Sequence, residues 1–379
     1  MKRTPFIAHF QRFTATLSRF CLIVAACSIH AEVLIPANNP AINYYGRFDV
    51  SAPVQPKFNW SGSTIEATFP GPSIGINLHD GHGDYDIEID GAPCKIIRTS
   101  PDSDHYTISV SLSTKPHTIR IIQRSENHWR AATFGGFYIA DGKQLLAPPA
   151  KPAKKIEFIG DSYTEGYGNE SSGRTCTSQQ LRYYTNTNRS FATLVTKAFH
   201  AQSIVVAWSG QGMVRNYGDA AKKSATPYPY YYASTLGALP GRWNFKQWIP
   251  GLAVICLGTN DFSTTPYPDD TMFTNAYHAF IKRVRGNYPN AFILCVSTPT
   301  GRCDTLVQRI VSDEATVYGR SNIYYKAFPQ ALSWGGCDGH PTVADEGVIA
   351  GVLIKSIMKN CGWDTTSSSP SSRKINRPL

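Results

Sequence analysis

The sequence has no CxxC pair and no HExxH, so neither a structural nor a catalytic zinc site of the common kinds has its ligands, and no metal or other cofactor is expected. No apolar run reaches the roughly 20 residues that a membrane helix needs. Basic residues never gather into a block of the kind that follows a nucleic-acid backbone, which excludes that class of partner. Charged residues make up 17% of the chain, whereas hydrophobic residues make up 42%, the balance of a globular protein. At 379 residues, two domains are expected.

The formal charge of +10 falls to +6 when the four basic residues Lys2, Arg3, Arg12 and Arg19 are set aside. These precede a short apolar stretch, Phe20 to Cys27, and a small-residue stop near Ala31, the order of an export signal. A second reading of Val24-Ala25-Ala26-Cys27 makes Cys27 a lipidated first residue. Exported, with or without that anchor, is the expected location. Seven of the nine cysteines lie beyond this segment, an odd number that leaves at least one free thiol. Cys256 and Cys295 fall in apolar strand-like runs and read as core, while Cys303 and Cys337 fall in loops and are the candidate pair.

From about residue 40 to 145, short alternating runs such as Thr64–Phe69, Ile74–Leu78, Tyr85–Ile89, Thr107–Leu112 and Thr118–Ile122 are separated by Gly, Pro and Asp. That spacing predicts a β-sandwich of jelly-roll type. A Pro-rich connector follows, and beyond it apolar strands alternate with amphipathic helices. The strands are Ile156–Ile159, Ser203–Ala207, Ala253–Leu257, Phe292–Val296 and Asn322–Tyr325, and the helices run roughly over 189–200, 271–287, 304–318 and 341–358. This predicts an α/β parallel sheet with helices on both faces. The expected division is a signal over 1–31, the sandwich over 32–145, a linker over 146–154, the α/β domain over 155–362 and a disordered tail over 363–379.

In parallel sheets, chemistry gathers at the carboxyl ends of the strands. Gly160-Asp161-Ser162 follows the first strand, where a serine hydroxyl is accessible and its backbone N–H faces a developing anion. The competing use of such a serine is a helix cap. Ser209-Gly210-Gln211-Gly212 follows the second strand and Gly258-Thr259-Asn260-Asp261 the third. The Gly210 N–H, the Asn260 amide and the Ser162 N–H would form an oxyanion hole, although each segment alone also reads as a turn. Asp338-Gly339-His340-Pro341 enters the last helix and places His340 as the base for Ser162. Trp334, Trp243 and the run Tyr228 to Tyr232 are candidate sugar-stacking platforms, with core packing as their competing use.

These four blocks, in this order on these strands, resemble the SGNH (GDSL-type) hydrolases over about 154–360. No Gly-x-Ser-x-Gly elbow surrounds Ser162, which separates the chain from α/β-hydrolases. The phrases Gly46–Val50, Phe134–Tyr138, Lys155–Gly168 and Val214–Gly218 narrow the resemblance to family 2 of the carbohydrate esterases, over nearly the whole chain after the signal. That resemblance implies a jelly roll joined to an SGNH-type domain. It also implies a secreted serine esterase that removes acetyl groups from acetylated xylan or a related polysaccharide such as glucomannan, through an acetyl-serine intermediate, and the enzyme is expected to be a monomer. Most SGNH enzymes place two residues between the supporting Asp and the His. Here, as in the narrower family, one residue separates Asp338 from His340, and some family members orient the His through a backbone carbonyl, so both partners stand. The intervening residue is commonly Trp in that family, and Gly339 here either opens the pocket or removes an aromatic sugar contact. The rival readings are an esterase for lipid or peptidoglycan acyl groups and a non-catalytic carbohydrate-binding protein.

Overall fold

Inward-facing apolar residues on alternating strand positions build the N-terminal part of the protein. The computed structural model describes residues 32–298, 301–317 and 319–365. The expected signal, with Cys27, lies outside them. Ten strands come first: β1 Glu32–Pro36, β2 Ile42–Tyr45, β3 Lys57–Phe58, β4 Thr64–Pro70, β5 Ile74–His79, β6 Asp84–Ile89, β7 Ala92–Arg98, β8 His105–Ser109, β9 Pro116–Gln123 and β10 Ala132–Ala140. They form two antiparallel sheets, one ordered β1-β10-β5-β8 with β3 against β10, the other β2-β4-β9-β6-β7. Ile65, Phe69, Ile76, Phe134 and Ile139 fill the space between them. The facing orders β1-β10-β5-β8 and β4-β9-β6-β7 are those of a jelly roll.

Five parallel strands follow: β11 Lys154–Gly160, β12 Ala201–Ala207, β13 Leu252–Cys256, β14 Phe292–Ser297 and β15 Ile323–Ala327. The helices are α1 Ser162–Glu165, α2 Ser178–Tyr184, α3 Phe191–Ala198, α4 Tyr228–Tyr231, α5 Asp270–Asn287, α6 Arg302–Thr316 and α7 Val343–Cys361. Because side chains alternate across a strand, Ile159, Ile255 and Ile293 enter the core under α5 and α6, while Phe158, Val254 and Leu294 enter the one under α3 and α7. No described helix is long and apolar enough to cross a membrane. The strand order is β12-β11-β13-β14-β15, so the chain leaves β11 to one side for β12 and returns past it to β13. That reversal opens a crevice at the carboxyl end of β11, where Ser162 stands.

The two parts make one unit from Glu32 onward. Arg47 of the jelly roll is fully buried and pairs with Glu157 of the interior strand β11 at 3.0 Å. Its guanidinium also donates to the carbonyls of Tyr232 (2.6 Å) and Ser234 (2.8 Å). Trp60 of the jelly roll donates its indole N–H to Thr235 O (2.9 Å) and packs into the α5/α6 core. Arg182 of α2 reaches Asp84 of β6 at 2.6 Å. The Pro-rich connector is laid along the surface, with Leu146 bridged to Thr68 and Pro149 O accepting from Asn43 at 2.9 Å. At the other end, Trp363 does not begin a loose tail: it packs edge-on against Phe199 at 5.7 Å, and Lys154 holds Asp364 at 3.0 Å. The remainder of the expected tail, 366–379, lies outside the described residues.

Candidate active site

Asp161 caps α1: its carboxylate accepts the Tyr163 N–H at 3.1 Å. Ser162 is therefore the first helical residue, where backbone N–H groups lack intrahelical acceptors. Its Oγ lies 2.8 Å from Nε2 of His340, a partner 178 residues later in the chain. The His340 ring sits between the aromatic rings of Tyr163 (5.1 Å) and Tyr167 (4.4 Å). Burial lowers its pKa, partly offset by the Cys337 carbonyl and by Asp338. A neutral imidazole is the form that accepts a proton.

The second ring nitrogen faces a backbone carbonyl. His340 Nδ1 lies 3.0 Å from the Cys337 carbonyl oxygen, which fixes Nδ1–H as the donor and leaves Nε2 free to accept from Ser162. Asp338, expected as the third member, is turned away, exposed, and accepts from the Tyr167 hydroxyl at 3.0 Å instead. The backbone of Asp338 is itself left-handed (φ 54°). Cys337 is held by a disulfide to Cys176, which replaces the expected pairing with Cys303; Cys303 is a buried free thiol. The loop packs so closely that a Cβ on Gly168 would fall 2.4 Å from Cys337 Cβ.

The other two blocks close on the same point. Gly210 adopts φ +77°, a conformation natural to glycine, and its N–H donates to no protein acceptor among the described residues. Asn260 Nδ2 donates to Asp161 Oδ2 (3.1 Å) and to Gln211 O (3.0 Å), so its amide joins the residue before Ser162 to the residue after Gly210. Asp261 accepts from the N–H groups of Met213, Val214 and Arg215 at 2.7, 2.7 and 2.9 Å and so anchors the loop beyond Gly210. Burial pushes the Asp161 carboxyl up to about 7 and that of Asp261 to about 6. Among the described residues, no group of three or more His, Cys, Asp or Glu side chains is gathered to hold a metal ion.

The aromatic platforms divide. Trp334 is half-buried and stands edge-on to Tyr163 at 5.7 Å, the ring that also neighbours His340. Trp243 is 8% exposed and its ring lies 5.3 Å from the Arg47 guanidinium, so it is core, with no face left for a sugar. Tyr228 and Tyr232 are buried as well, whereas Tyr230 of the same run is 69% exposed. Two aromatics absent from the sequence expectations are exposed near the Gly210 loop. Tyr217, 61% exposed, donates its N–H to Gly210 O at 2.8 Å, and Trp129, 71% exposed, meets Trp208 edge-on at 5.9 Å. The Gly and Asn residues around Tyr217 were the available signal, since a turn leaves a large side chain little core to enter.

Residues 44–149 match the model of the carbohydrate esterase 2 N-terminal domain, and residues 158–335 that of the GDSL-like lipase/acylhydrolase family. An acetylxylan esterase/glucomannan deacetylase of Cellvibrio japonicus is 32% identical over 326 residues, 82% of this chain and 87% of the relative. The cellulase/esterase CelE of Acetivibrio thermocellus is 35% identical over 336 residues; the match takes in 86% of this chain and spans 40% of CelE. A family two carbohydrate esterase from Clostridium thermocellum, solved with cellohexaose, superposes with a TM-score of 0.78 at 34% identity, over 85% of this chain and 99% of that one.

Proposed function

The chain belongs to carbohydrate esterase family 2 and is a carboxylic ester hydrolase, and we propose that it is an exported, monomeric serine esterase that removes O-acetyl groups from plant-type polysaccharides. The observation that carries the reading is the 2.8 Å contact between Ser162 Oγ and His340 Nε2, in a ring whose other nitrogen is already committed to the Cys337 carbonyl. In this reaction, Ser162 Oγ attacks the acetyl carbonyl as its proton passes to Nε2. The imidazolium keeps its Nδ1–H on Cys337 O, and no buried carboxylate is needed beneath it. The oxyanion meets the N–H groups of Gly210 and Ser162. Asn260 joins them by exchanging one of its two present acceptors for the oxyanion, so its donation is made in the transition state rather than in the resting site. His340 returns the proton to the departing sugar hydroxyl. Water then cleaves the acetyl-serine by the same roles in reverse.

Xylan and glucomannan are the favoured backbones, and the named activity of the Cellvibrio relative supports that choice. Exposed Tyr217 and Trp129, with half-buried Trp334, supply flat apolar faces for pyranose rings around the site. Gly339 has φ +77° and no atom within 4 Å of where its Cβ would stand, which leaves that side of the site open to a chain. The test is acetate release from acetylated xylan and acetylated glucomannan by wild type and Ser162→Ala. Serine-dependent release is expected from at least one polymer. Cleavage of a chromogenic acetate with release from neither polymer would move the substrate to another ester class, and equal activity of Ser162→Ala would remove the nucleophile assignment.

A further inference from the structure

We propose that Glu126, a residue of the jelly roll, is a positioning residue that sets the oxyanion loop of the esterase site; the inference rests on the serine-esterase reading above. Glu126 lies in the connection between β9 and β10 and reaches across to the α/β part. Its two carboxylate oxygens accept the backbone N–H of Ser209 at 2.9 and 3.2 Å. Ser209 immediately precedes Gly210, so fixing its peptide fixes the direction of the next one, whose N–H faces the oxyanion.

The grip is closed from a second side. Ser209 Oγ lies 2.6 Å from Glu165 Oε2, and the Glu126 backbone N–H donates to Glu165 Oε1, also at 2.6 Å. Glu165 ends α1, the helix that Ser162 opens. A ring of contacts thus runs from Glu126 to Ser209 to Glu165 and back to Glu126, and ties nucleophile helix, oxyanion loop and jelly roll together. His128 completes it: Nε2 lies 3.0 Å from Glu126 Oε2, and its ring stacks on Trp208, the residue before Ser209, at 4.0 Å.

The arrangement is costly by itself. Burial pushes Glu126 up to about 7, pushes Glu165 well above its ordinary range with Glu126 adding to the rise, and pushes His128 down to about 3. Neither carboxylate hydrogen-bonds to Ser162 Oγ or to the His340 ring. The product of the cost is a Ser209 held by both backbone and side chain. A misplacement of about 1 Å at such a point is worth about 10²-fold in rate.

The test compares Glu126→Ala, Glu126→Asp and Glu126→Gln with wild type and Ser162→Ala on 4-nitrophenyl acetate, with functional sites counted by phosphonate titration. Glu126→Ala should lower kcat per site by about 10- to 100-fold with KM within about twofold, because the oxyanion donors act on the transition state. Glu126→Asp keeps the charge but loses the reach and should resemble Ala, whereas Glu126→Gln keeps the reach and one acceptor oxygen and should recover most of the rate. Wild-type kcat per site in Glu126→Ala, or a loss accounted for by fewer functional sites alone, would overturn the proposal. If Glu126→Ala does not fold, the Asp and Gln variants decide: equal rates in the two would overturn it. A wild type no faster than Ser162→Ala would instead refute the esterase reading beneath it.

Discussion

The His340 loop and the Gly210 loop flank the same serine and are fastened by opposite means. The first is tied covalently and through main chain: the Cys176–Cys337 disulfide, Cys337 N–H on Gly168 O (3.2 Å), Asp338 N–H on Arg174 O (2.7 Å) and His340 Nδ1 on Cys337 O (3.0 Å). The second is tied by buried carboxylates, with Glu126 and Glu165 on Ser209 and Asp261 on three consecutive N–H groups. Main-chain ties do not titrate near neutrality, whereas carboxyls raised toward 6 and 7 do. The His340 loop is thus the one open to reductant, and the Gly210 loop the one open to protonation.

The sharpest way to break this contrast is to remove the base. His340→Ala should cost about 10⁴- to 10⁶-fold in kcat on a chromogenic acetate, while Asp338→Asn should stay within about tenfold because its carboxylate serves Tyr167; comparable losses would restore Asp338 to a triad. Next comes Asp261→Ala, which orphans three N–H groups, each worth about 1–3 kcal/mol when buried and unpaired. A lower melting temperature and a kcat reduced by about 10- to 100-fold are expected, with little change at the His340 loop, as amide exchange would report. Replacing Cys176 and Cys337 together by Ser should lower unfolding stability by about 2–5 kcal/mol, read from urea midpoints, since the bond spans 161 residues. The smallest effect is on pH. Two steps are expected in kcat/KM as the pH falls: a shallow one at about 6 to 7, where the carboxyls of Asp261 and Glu126 take up protons and loosen the Gly210 loop, and a complete one below 6.5, as the His340 ring, its pKa lowered by burial, becomes charged. A complete loss of activity at or above 6.5 would contradict the burial of the ring.

Local pattern made one half of this legible and hid the other. Ser162, Gly210, Asn260 and His340 each stand just past a strand or at the entrance to a helix, so strand order alone brings their segments together. Helices α3, α5, α6 and α7 fall within a few residues of the expected spans, because each carries a full apolar face. Strand β7 carries no such pattern: only Ile97 of its seven residues is buried, which leaves no alternation to read. Of the two uses the sequence allows Trp243, the fold takes core packing, because residue type does not report burial and only the fold places Arg47 against its ring. Loop character pairs Cys337 with Cys303, whereas its partner comes from the segment before α2, a proximity with no local signature. Glu126 and Glu165 gave no signal either, since two ordinary glutamates 39 residues apart become a pair only when the jelly roll docks.

The buried pair of Arg47 and Glu157 has a consequence for how such an enzyme can be inherited. Cutting the chain in its Pro-rich connector would leave Glu157, on an interior strand of the α/β sheet, without its counter-charge, a loss on the order of 3–5 kcal/mol for a buried pair deprived of one partner. Domain shuffling, in nature or at the bench, therefore has a cassette to move and no smaller one: jelly roll and hydrolase must be transplanted together, and a graft that exchanges either alone must bring a replacement for the missing charge.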